Sequence, residues 1–397
     1  MELTKKQAEA LDLIIQRYKA KEKYSVIGGY AGTGKSTLVK FVIDALAQEG
    51  IDPNKDVCFC AYTGKAAQVL QKKGNKNVKT LHKLLYDSFP KADGGFYRKP
   101  KSKLEYRIIV VDEVSMAPKT MMDLLFSHKG IYVICMGDPF QLPPVQKEDN
   151  NQLLDTPHVF LDEIMRQAAE SEIIRLSMAI RNQQSLSSFS GKEVIVASKK
   201  DITTGMLTWA DQILCATNKT RSYLNSVMRT LLGREELPQE GDKVICLRNY
   251  WECLSEEGNP LVNGCIGFLS NLKKESFFLP PSYHFVRPLD ILKATFVTET
   301  GEKYGTRRFD NQMILTGNKQ LDFKTEFKMS KTNIWSMRIP MEFVYAYAIT
   351  VHKSQGSEWD KVLVQEEGFP FDKTEHARWL YTGVTRSADK LILLTNE

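Results

Sequence analysis

Gly29-Tyr-Ala-Gly-Thr-Gly-Lys-Ser36 is the stretch that decides the fold of this 397-residue chain. It matches the phosphate-binding pattern G-x-x-x-x-G-K-[ST] at every fixed position. The apolar run 24–28 before it predicts a buried strand, and residues 36–48 after it predict a helix that ends before Gly50. In this strand–loop–helix setting, backbone N–H groups and the helix N-terminus point at phosphate oxygens. The sequence therefore predicts a site for a nucleoside triphosphate.

The residues of this loop have distinct predicted roles. Lys35 would contact the β- and γ-phosphates, and the hydroxyl of Ser36 would bind Mg²⁺. The loop residues predicted to bind the nucleotide are Gly29, Ala31, Gly32, Thr33, Gly34, Lys35, Ser36 and Thr37.

Length and composition limit the class of protein. A chain of 397 residues, 42% of them hydrophobic, is expected to fold as two or three domains of a soluble protein. The longest apolar runs, such as 108–111 and 391–394, are too short to cross a bilayer, and the polar first residues show no signal-peptide pattern. We therefore expect a cytoplasmic protein, in a bacterium or a phage-infected host cell, without membrane contact.

Cysteine spacing and charge add weaker information. The seven cysteines include no C-x-x-C pair, which argues against a disulfide framework and against a zinc site. The net charge of +6 is mild, but the stretches 71–83 and 98–107 each contain five Lys or Arg residues. Such stretches are typical either of solvated loops or of a surface for a polyanion, and the sequence leaves both interpretations open.

The pattern of strands and helices predicts an α/β fold with two parallel-sheet cores. Apolar strands alternate with helices in the first 170 residues, which is typical of a parallel sheet. Because ligands gather at the carboxyl ends of such strands, the polar clusters that follow them should meet at one edge. The predicted strands of this first core are 25–29, 57–62, 107–112 and 131–136.

Two insertions are predicted in this pattern. The segment 86–106 contains the turn signal Ala-Asp-Gly-Gly and reads as a small hairpin. Between 240 and 339, short β-like runs with Gly and Pro replace the helical periodicity, which predicts a β-rich insertion in a second α/β core.

Two polar clusters supply groups that a phosphate loop lacks, namely an acidic Mg²⁺ ligand and a side chain that accepts a proton from water. Asp112 and Glu113 end a buried strand, where Asp112 can bind Mg²⁺ and Glu113 can accept a proton from an attacking water. Gln141 lies in a proline-stiffened turn after the next strand and suits contact with a γ-phosphate or its attacking water. This combination favours hydrolysis of the nucleotide over transfer to another substrate.

Together, these clusters resemble the motifs of superfamily 1B, the RecD-like DNA helicases, and especially those of the compact phage Dda-type 5′→3′ helicases. The resemblance runs through nearly the whole chain in the family's order. The matching stretches are 3–11 around Gln7, 61–67, 80–82, 112–113, 137–145, 164–167, 350–358 and 380–386.

The resemblance implies a nucleotide site shared by two RecA-like cores, with ATP and Mg²⁺ as cofactors. Gln7 would read the adenine, Gly356 and Glu358 would line the site from the second core, and Arg166 and Arg386 would stabilise charge on the γ-phosphate. The implied domains are a first core (1A, 1–85 and 107–170), a small hairpin insertion (1B, 86–106), a second core (2A, 171–239 and 340–397) and a β-rich, SH3-like insertion (2B, 240–339).

The resemblance also implies a DNA cleft across both cores. Its polar contacts to phosphate and sugar would come from Thr63, Lys65, His82, Thr350, His352 and Lys353. Aromatic candidates for base stacking are Tyr62, Phe140 and Trp359, and those for a duplex wedge are Phe89, Phe96 and Tyr97. For each aromatic residue, packing in a core or hairpin explains the residue type about as well.

The expected activity is ATP-driven translocation 5′→3′ on single-stranded DNA by a monomer, with unwinding of forked duplex DNA. Single-strand-binding or replication proteins are further candidate partners. Two alternatives remain open at this point: a helicase-like subunit of a recombination or nuclease complex, and an ATP-gated DNA-binding module that does not unwind.

Overall fold

The computed structural model describes residues 3–90, 96–143, 150–165, 170–186, 189–283, 287–330, 339–368 and 372–396. Contacts divide the chain into two compact units. The first unit comprises Met1–Asp87, Pro100–Leu214 and Ser354–Glu397, and the second comprises Ser88–Lys99 and Cys215–Lys353.

The first unit contains a six-stranded sheet in which every pair of neighbours is parallel. Its spatial order is β3-β2-β6-β7-β1-β8. The strands are β1 (Tyr24–Gly29), β2 (Val57–Ala61), β3 (Val78–Thr80), β6 (Ile108–Asp112), β7 (Tyr132–Gly137) and β8 (Val159–Leu161). The four strands predicted for the first core are therefore confirmed.

Helices cover both faces of this sheet. Successive residues of a strand point to opposite faces, so they alternate between two buried clusters. Ile108 and Val110 pack with α1 and α2, whereas Ile109 and Val111 pack on the opposite face with α4 and α5. The helices of this region are α1 (Lys5–Lys19), α2 (Lys35–Gln48), α3 (Gly64–Lys72), α4 (Leu81–Leu85) and α5 (Lys119–Ser127).

A second parallel sheet lies in the same unit. It has the order β10-β19-β20-β9, with parallel pairing throughout these four strands. Its strands are β9 (Val194–Ser198), β10 (Gln212–Cys215), β19 (Trp359–Gln365) and β20 (Ser387–Thr395), and its helices include α6 (Glu172–Arg181), α7 (Thr204–Trp209) and α12 (Lys373–Val384). The predicted α/β fold with two parallel sheets is therefore confirmed.

The second unit is built around an antiparallel sheet of order β16-β15-β14-β11-β17. Its strands are β11 (Lys243–Cys246), β14 (Ile266–Phe277), β15 (Leu289–Thr298), β16 (Lys303–Asp310) and β17 (Phe343–Tyr345). This sheet takes in 343–345, which the sequence pattern assigned to the second core. The strands β12 (Tyr250–Leu254) and β13 (Pro260–Leu261) form a separate pair. Helices α8 (Asn218–Leu231), α9 (Asn311–Thr316) and α10 (Phe323–Ser330) complete the unit.

Shorter strands and a short helix complete the two units. Strands β4 (Tyr86–Pro90) and β5 (Phe96–Pro100) pair in a two-stranded sheet, as expected for a hairpin in 86–106, and the turn at 91–95 lies outside the described residues. Strand β18 (Ala348–Thr350) leads into α11 (Val351–Ser354). The seven cysteines are buried, and none of them forms a disulfide. Within the described ranges, no helix is long and apolar enough to span a bilayer.

Candidate active site

The phosphate loop joins β1 to α2 and depends on glycine at its last turn. Gly34 has a φ of 78°, and a Cβ there would lie 2.5 Å from Nε2 of Gln7. Both the left-handed backbone and the close approach therefore require glycine. Nζ of Lys35 donates to the carbonyl oxygens of Gly29 at 2.7 Å and Tyr30 at 2.8 Å. The ammonium would exchange these carbonyls for phosphate oxygens when a nucleotide binds.

Gln7 lies beneath the loop rather than on its surface. Its Oε1 accepts from the Thr4 N–H at 3.0 Å, as part of a capping box that starts α1. Its Nε2 donates to the Thr33 carbonyl at 3.3 Å and to Sδ of Met165 at 3.4 Å. With 1% of its surface exposed, Gln7 supports the loop in this structure, and reading of an adenine stays a prediction.

An acid pair lies at the end of β6, with Asp112 as its last residue and Glu113 directly after it. The Glu113 N–H donates to Oδ1 of Asp112 at 2.8 Å, and Glu113 adopts a left-handed φ of 50°. Burial, and then the neighbouring negative charge of Glu113, raise the pKa of Asp112 to about 6. The Glu113 N–H and the charges of Lys35 and Lys73 act in the opposite direction. The pair is thus crowded with negative charge, as expected of a site that receives a cation.

Gln141 connects the acid pair to an arginine of the second sheet. With its amide oriented so that both polar atoms have partners, its NH₂ donates to Oε2 of Glu113 at 3.1 Å and its oxygen accepts from Nη2 of Arg386 at 3.1 Å. Arg386 is 6% exposed, and its Nε and Nη1 donate to the carbonyls of Thr382 at 3.1 Å and Ser357 at 3.3 Å. The structure therefore brings three predicted catalytic residues together.

Asp112, Glu113 and Arg386 open onto one cavity of about 450 Å³. Its lining includes two residues of the phosphate loop, the acid pair and residues that follow α11 and α12: Ala31, Gly32, Asp112, Glu113, Gly356, Glu358 and Arg386. Gly356 has a φ of 75°, and a Cβ there would lie 2.9 Å from Cβ of Ala66. Gly356 thus allows this segment to approach α3 closely.

The donor set fits Mg²⁺ held together with a nucleotide. Asp112 offers a carboxylate and Ser36 an exposed hydroxyl at the first turn of α2. No group of three or more His, Cys, Asp or Glu side chains that could hold a metal occurs among the residues that the structure describes. Mg²⁺ commonly binds through one or two protein ligands plus substrate phosphates and water, and this site matches that mode.

Four predicted site residues or their side chains lie outside what the structure describes. Arg166 falls in 166–169, which lies outside the described residues. Phe89, Phe96 and Tyr97 belong to strands β4 and β5, but their side chains are not among those described. Their predicted roles stay predictions.

The predicted DNA contacts of the first unit have structural partners. Tyr62 packs against the core, with its ring centroid 5.8 Å from that of His82. The hydroxyl of Thr63 accepts from the Ala66 N–H at 3.2 Å and caps α3, and Lys65 follows in the first turn of that helix. Tyr62, Thr63 and Lys65 follow the carboxyl end of β2, and His82 follows that of β3, at the edge where the sequence placed them.

Two predicted stacking residues are packed in this structure. Trp359 is 8% exposed at the start of β19, so its ring is placed as a core residue. Phe140 lies edge-on to Tyr381, with 5.3 Å between ring centroids, and the Arg378 guanidinium lies 5.8 Å from the Phe140 centroid. Stacking on a base would require either ring to leave these contacts.

The second unit holds the remaining predicted DNA contacts. Oγ1 of Thr350 accepts from the Lys353 N–H at 3.4 Å, and Nζ of Lys353 donates to Oδ1 of Asn263 at 3.1 Å. Burial lowers the pKa of His352 below its usual value. His352 and the exposed Lys353 are thus neighbours in α11.

Tyr381 and Asp138 belong to the site although the sequence assigned no role to either residue. The Tyr381 hydroxyl accepts from the Ala31 N–H of the phosphate loop at 2.8 Å and donates to Oδ2 of Asp138 at 2.6 Å. A signal was present, because Arg378, Tyr381, Thr382 and Thr385 share one face of α12 at helical spacing. That spacing does not reveal which element the face contacts.

Comparison with known proteins agrees with this geometry. Residues 2–195 match the family described as an AAA domain, and residues 345–394 match the UvrD-like helicase C-terminal domain. The ATP-dependent DNA helicase dda of Enterobacteria phage T4 is 24% identical over 441 residues, which cover 97% of this chain and 97% of that protein. The chain is therefore similar over nearly its whole length to the Dda and RecD2 DNA helicases.

Longer relatives and solved structures extend the comparison. The ATP-dependent RecD2 DNA helicase of Deinococcus radiodurans is 26% identical over 98% of this chain, which spans 48% of that protein. A structure of two coordinating Pif1 helicases at forked dsDNA gives a TM-score of 0.59 at 19% identity, over 100% of this chain and 93% of that one. Pif1 from Bacteroides, in complex with ADP-AlF3 and ssDNA, gives 0.55 at the same identity and coverage. These structures share the fold of this chain.

Proposed function

We propose that this chain is an ATP-dependent DNA helicase that translocates 5′→3′ on single-stranded DNA and unwinds forked duplex DNA. The observation that carries the proposal is the contact of Gln141 with both Glu113 and Arg386. It joins a predicted general base of one sheet to a buried cation of the other, beside a phosphate loop. The name and the matching length of the phage relative support the same activity.

The proposed hydrolysis assigns one role to each group. Glu113 accepts a proton from the attacking water, Gln141 orients that water, and Arg386 stabilises the charge that develops on the γ-phosphate. Mg²⁺, held by Asp112 and Ser36, would neutralise charge on the phosphate oxygens. A cation that is already held by backbone carbonyls needs little reorganisation during the reaction, which favours this role for Arg386.

Residues 138–142 form the turn that carries Gln141, called the Gln141 turn. Its contacts support coupling between hydrolysis and motion. The Leu142 N–H donates to Oγ1 of Thr382 at 3.0 Å, and Nε2 of Gln355 donates to the Leu142 carbonyl at 2.8 Å. A change at the γ-phosphate would therefore reach α12 and the segment after α11 directly. We propose that alternate closing and opening of these contacts moves the two sheets along a strand. The 5′→3′ direction rests on the family resemblance.

The test is the ATPase rate with and without single-stranded DNA. We expect strong stimulation by DNA, and we expect Lys35→Ala or Glu113→Gln to abolish turnover while DNA binding remains measurable. Lys40→Ala, at an exposed position of α2 facing away from the core, is the matched control and should hydrolyse ATP like the wild type. Equal rates with and without DNA would contradict the proposed coupling.

A further inference from the structure

The hydroxyl of Tyr381 is buried between the phosphate loop and the Gln141 turn. None of the catalytic roles proposed for the site involves this hydroxyl. Tyr381 is 1% exposed, and its hydroxyl accepts from the Ala31 N–H while it donates to Asp138. Burial and the nearby Asp138 charge raise the pKa of Tyr381 well above 10, so the hydroxyl stays protonated and can serve as the donor.

Asp138 passes this connection on to Gln141. Its carboxylate is buried, with Oδ1 accepting from the Phe140 N–H at 2.9 Å and Oδ2 accepting from Tyr381 at 2.6 Å. Its carbonyl accepts from the Gln141 N–H at 3.3 Å. One hydroxyl of α12 therefore connects the backbone of the phosphate loop to the turn that carries Gln141.

The hydrogen bond from the Ala31 N–H to the Tyr381 hydroxyl does not depend on Lys35. In this structure Lys35 holds the carbonyls of Gly29 and Tyr30, and those two bonds are given up when its ammonium turns to phosphate oxygens. The Tyr381 bond involves an N–H instead of a carbonyl and can persist through that exchange. The loop would then keep its shape at the moment it loses internal support.

We propose that Tyr381 is a positioning residue for nucleotide binding, which fixes the phosphate loop to the Gln141 turn through Ala31 and Asp138. The inference rests on the proposed ATP site but not on unwinding. Because the hydroxyl touches loop backbone and not the reacting atoms, it stabilises the ground state and the transition state alike. Its loss should raise KM and leave kcat nearly unchanged.

The test is Tyr381→Phe, which removes the hydroxyl and keeps the ring that packs on Phe140. We expect the affinity for a non-hydrolysable ATP analogue, measured by calorimetry without DNA, to fall about tenfold, equivalent to about 1.4 kcal/mol. Hydrogen bonds to charged groups contribute about this much. KM for ATP should rise by a similar factor, with kcat within about twofold.

Tyr347→Phe is the matched control, because Tyr347 also donates to a buried carboxylate, Oδ1 of Asp242, at 2.8 Å, but in the second unit. It should leave nucleotide affinity unchanged. Asp138→Asn supplies a second variant, and the double variant with Tyr381→Phe should bind no more weakly than the weaker single variant.

Wild-type affinity of Tyr381→Phe, or a fall in kcat at constant KM, would overturn the inference, and so would additive losses in the double variant. These outcomes are distinguishable from failure of the proposed function, because analogue binding is measured without DNA or hydrolysis. If the ATPase rate of the wild-type protein does not change with DNA, the helicase proposal is contradicted. The role of Tyr381 is then still decided by the measured affinity for the ATP analogue.

Discussion

Replacing Asp112 with asparagine should stabilise the nucleotide-free protein at neutral pH, although it removes a predicted metal ligand. The Asp112 carboxyl holds its proton more tightly in the folded chain, because burial and the Glu113 charge raise its pKa from 3.8 to about 6. A raised acid pKa means that the folded state loses stability as pH rises from 3.8 through about 6. Above that window the full cost of the buried charge is present.

The magnitude follows from the size of the shift. A rise from 3.8 to about 6 corresponds to about 3 kcal/mol at full ionisation, at 1.36 kcal/mol per pKa unit. Because Asp112 is only half-buried, solvent screening lowers this to about 1–2 kcal/mol. Asparagine keeps the oxygen that accepts from the Glu113 N–H, so the backbone turn should survive. We expect the melting temperature at pH 8 to rise by about 2–6 °C.

Differential scanning calorimetry of nucleotide-free protein at pH 8 and pH 4.5 measures the effect. The increase in melting temperature caused by Asp112→Asn should be largest at pH 8. It should be smaller at pH 4.5, where the wild-type carboxyl is mostly protonated in the folded protein. Asp242→Asn is the control of opposite sign, because Asp242 is fully buried and paired with Arg229 at 3.3 Å. It should lower the melting temperature at pH 8. A destabilised Asp112→Asn variant at pH 8, or a gain that does not depend on pH, would refute this reasoning.

Two further substitutions test separate parts of the site. Arg386→Lys should lower kcat by about 100-fold with KM for ATP nearly unchanged, because an ammonium cannot reproduce the bonds to Thr382, Ser357 and Gln141. A steady-state ATPase assay measures this, and wild-type kcat would argue against a role in the transition state. Lys353→Ala should weaken single-stranded DNA binding and reduce the slope of log affinity against log salt by about 0.7. Fluorescence anisotropy across a salt series measures this, and an unchanged slope would show that Lys353 does not contact a phosphate.

Local pattern was sufficient for the parts of the molecule that depend on neighbouring residues in the chain. The strand–loop–helix around Lys35 and the strand that ends at Asp112 are dictated by apolar runs and glycine positions. The rule that ligands gather at the carboxyl ends of parallel strands then placed Gln141 near Glu113. The expectation that Arg386 and Gln141 serve the same γ-phosphate rested on the order of the motifs, and their direct contact was not predicted.

Side-chain direction and desolvation could not be obtained in the same way. Trp359 begins a strand, and only the packed sheet shows that its ring is buried. Tyr381 lies in a helix whose polar face fits solvent, DNA or another loop equally well from spacing, and its contact with Ala31 depends on how α12 packs. The raised pKa of Asp112 likewise depends on surrounding atoms that are distant in sequence.

Strand displacement on matched 5′-tailed and 3′-tailed duplexes with ATP tests the central claim most directly. The account predicts unwinding from 5′ tails, none from 3′ tails, and none from either substrate with Glu113→Gln. Unwinding from 3′ tails alone would contradict the proposed direction. Failure to unwind either substrate, by a protein whose ATPase responds to DNA, would contradict the helicase function itself.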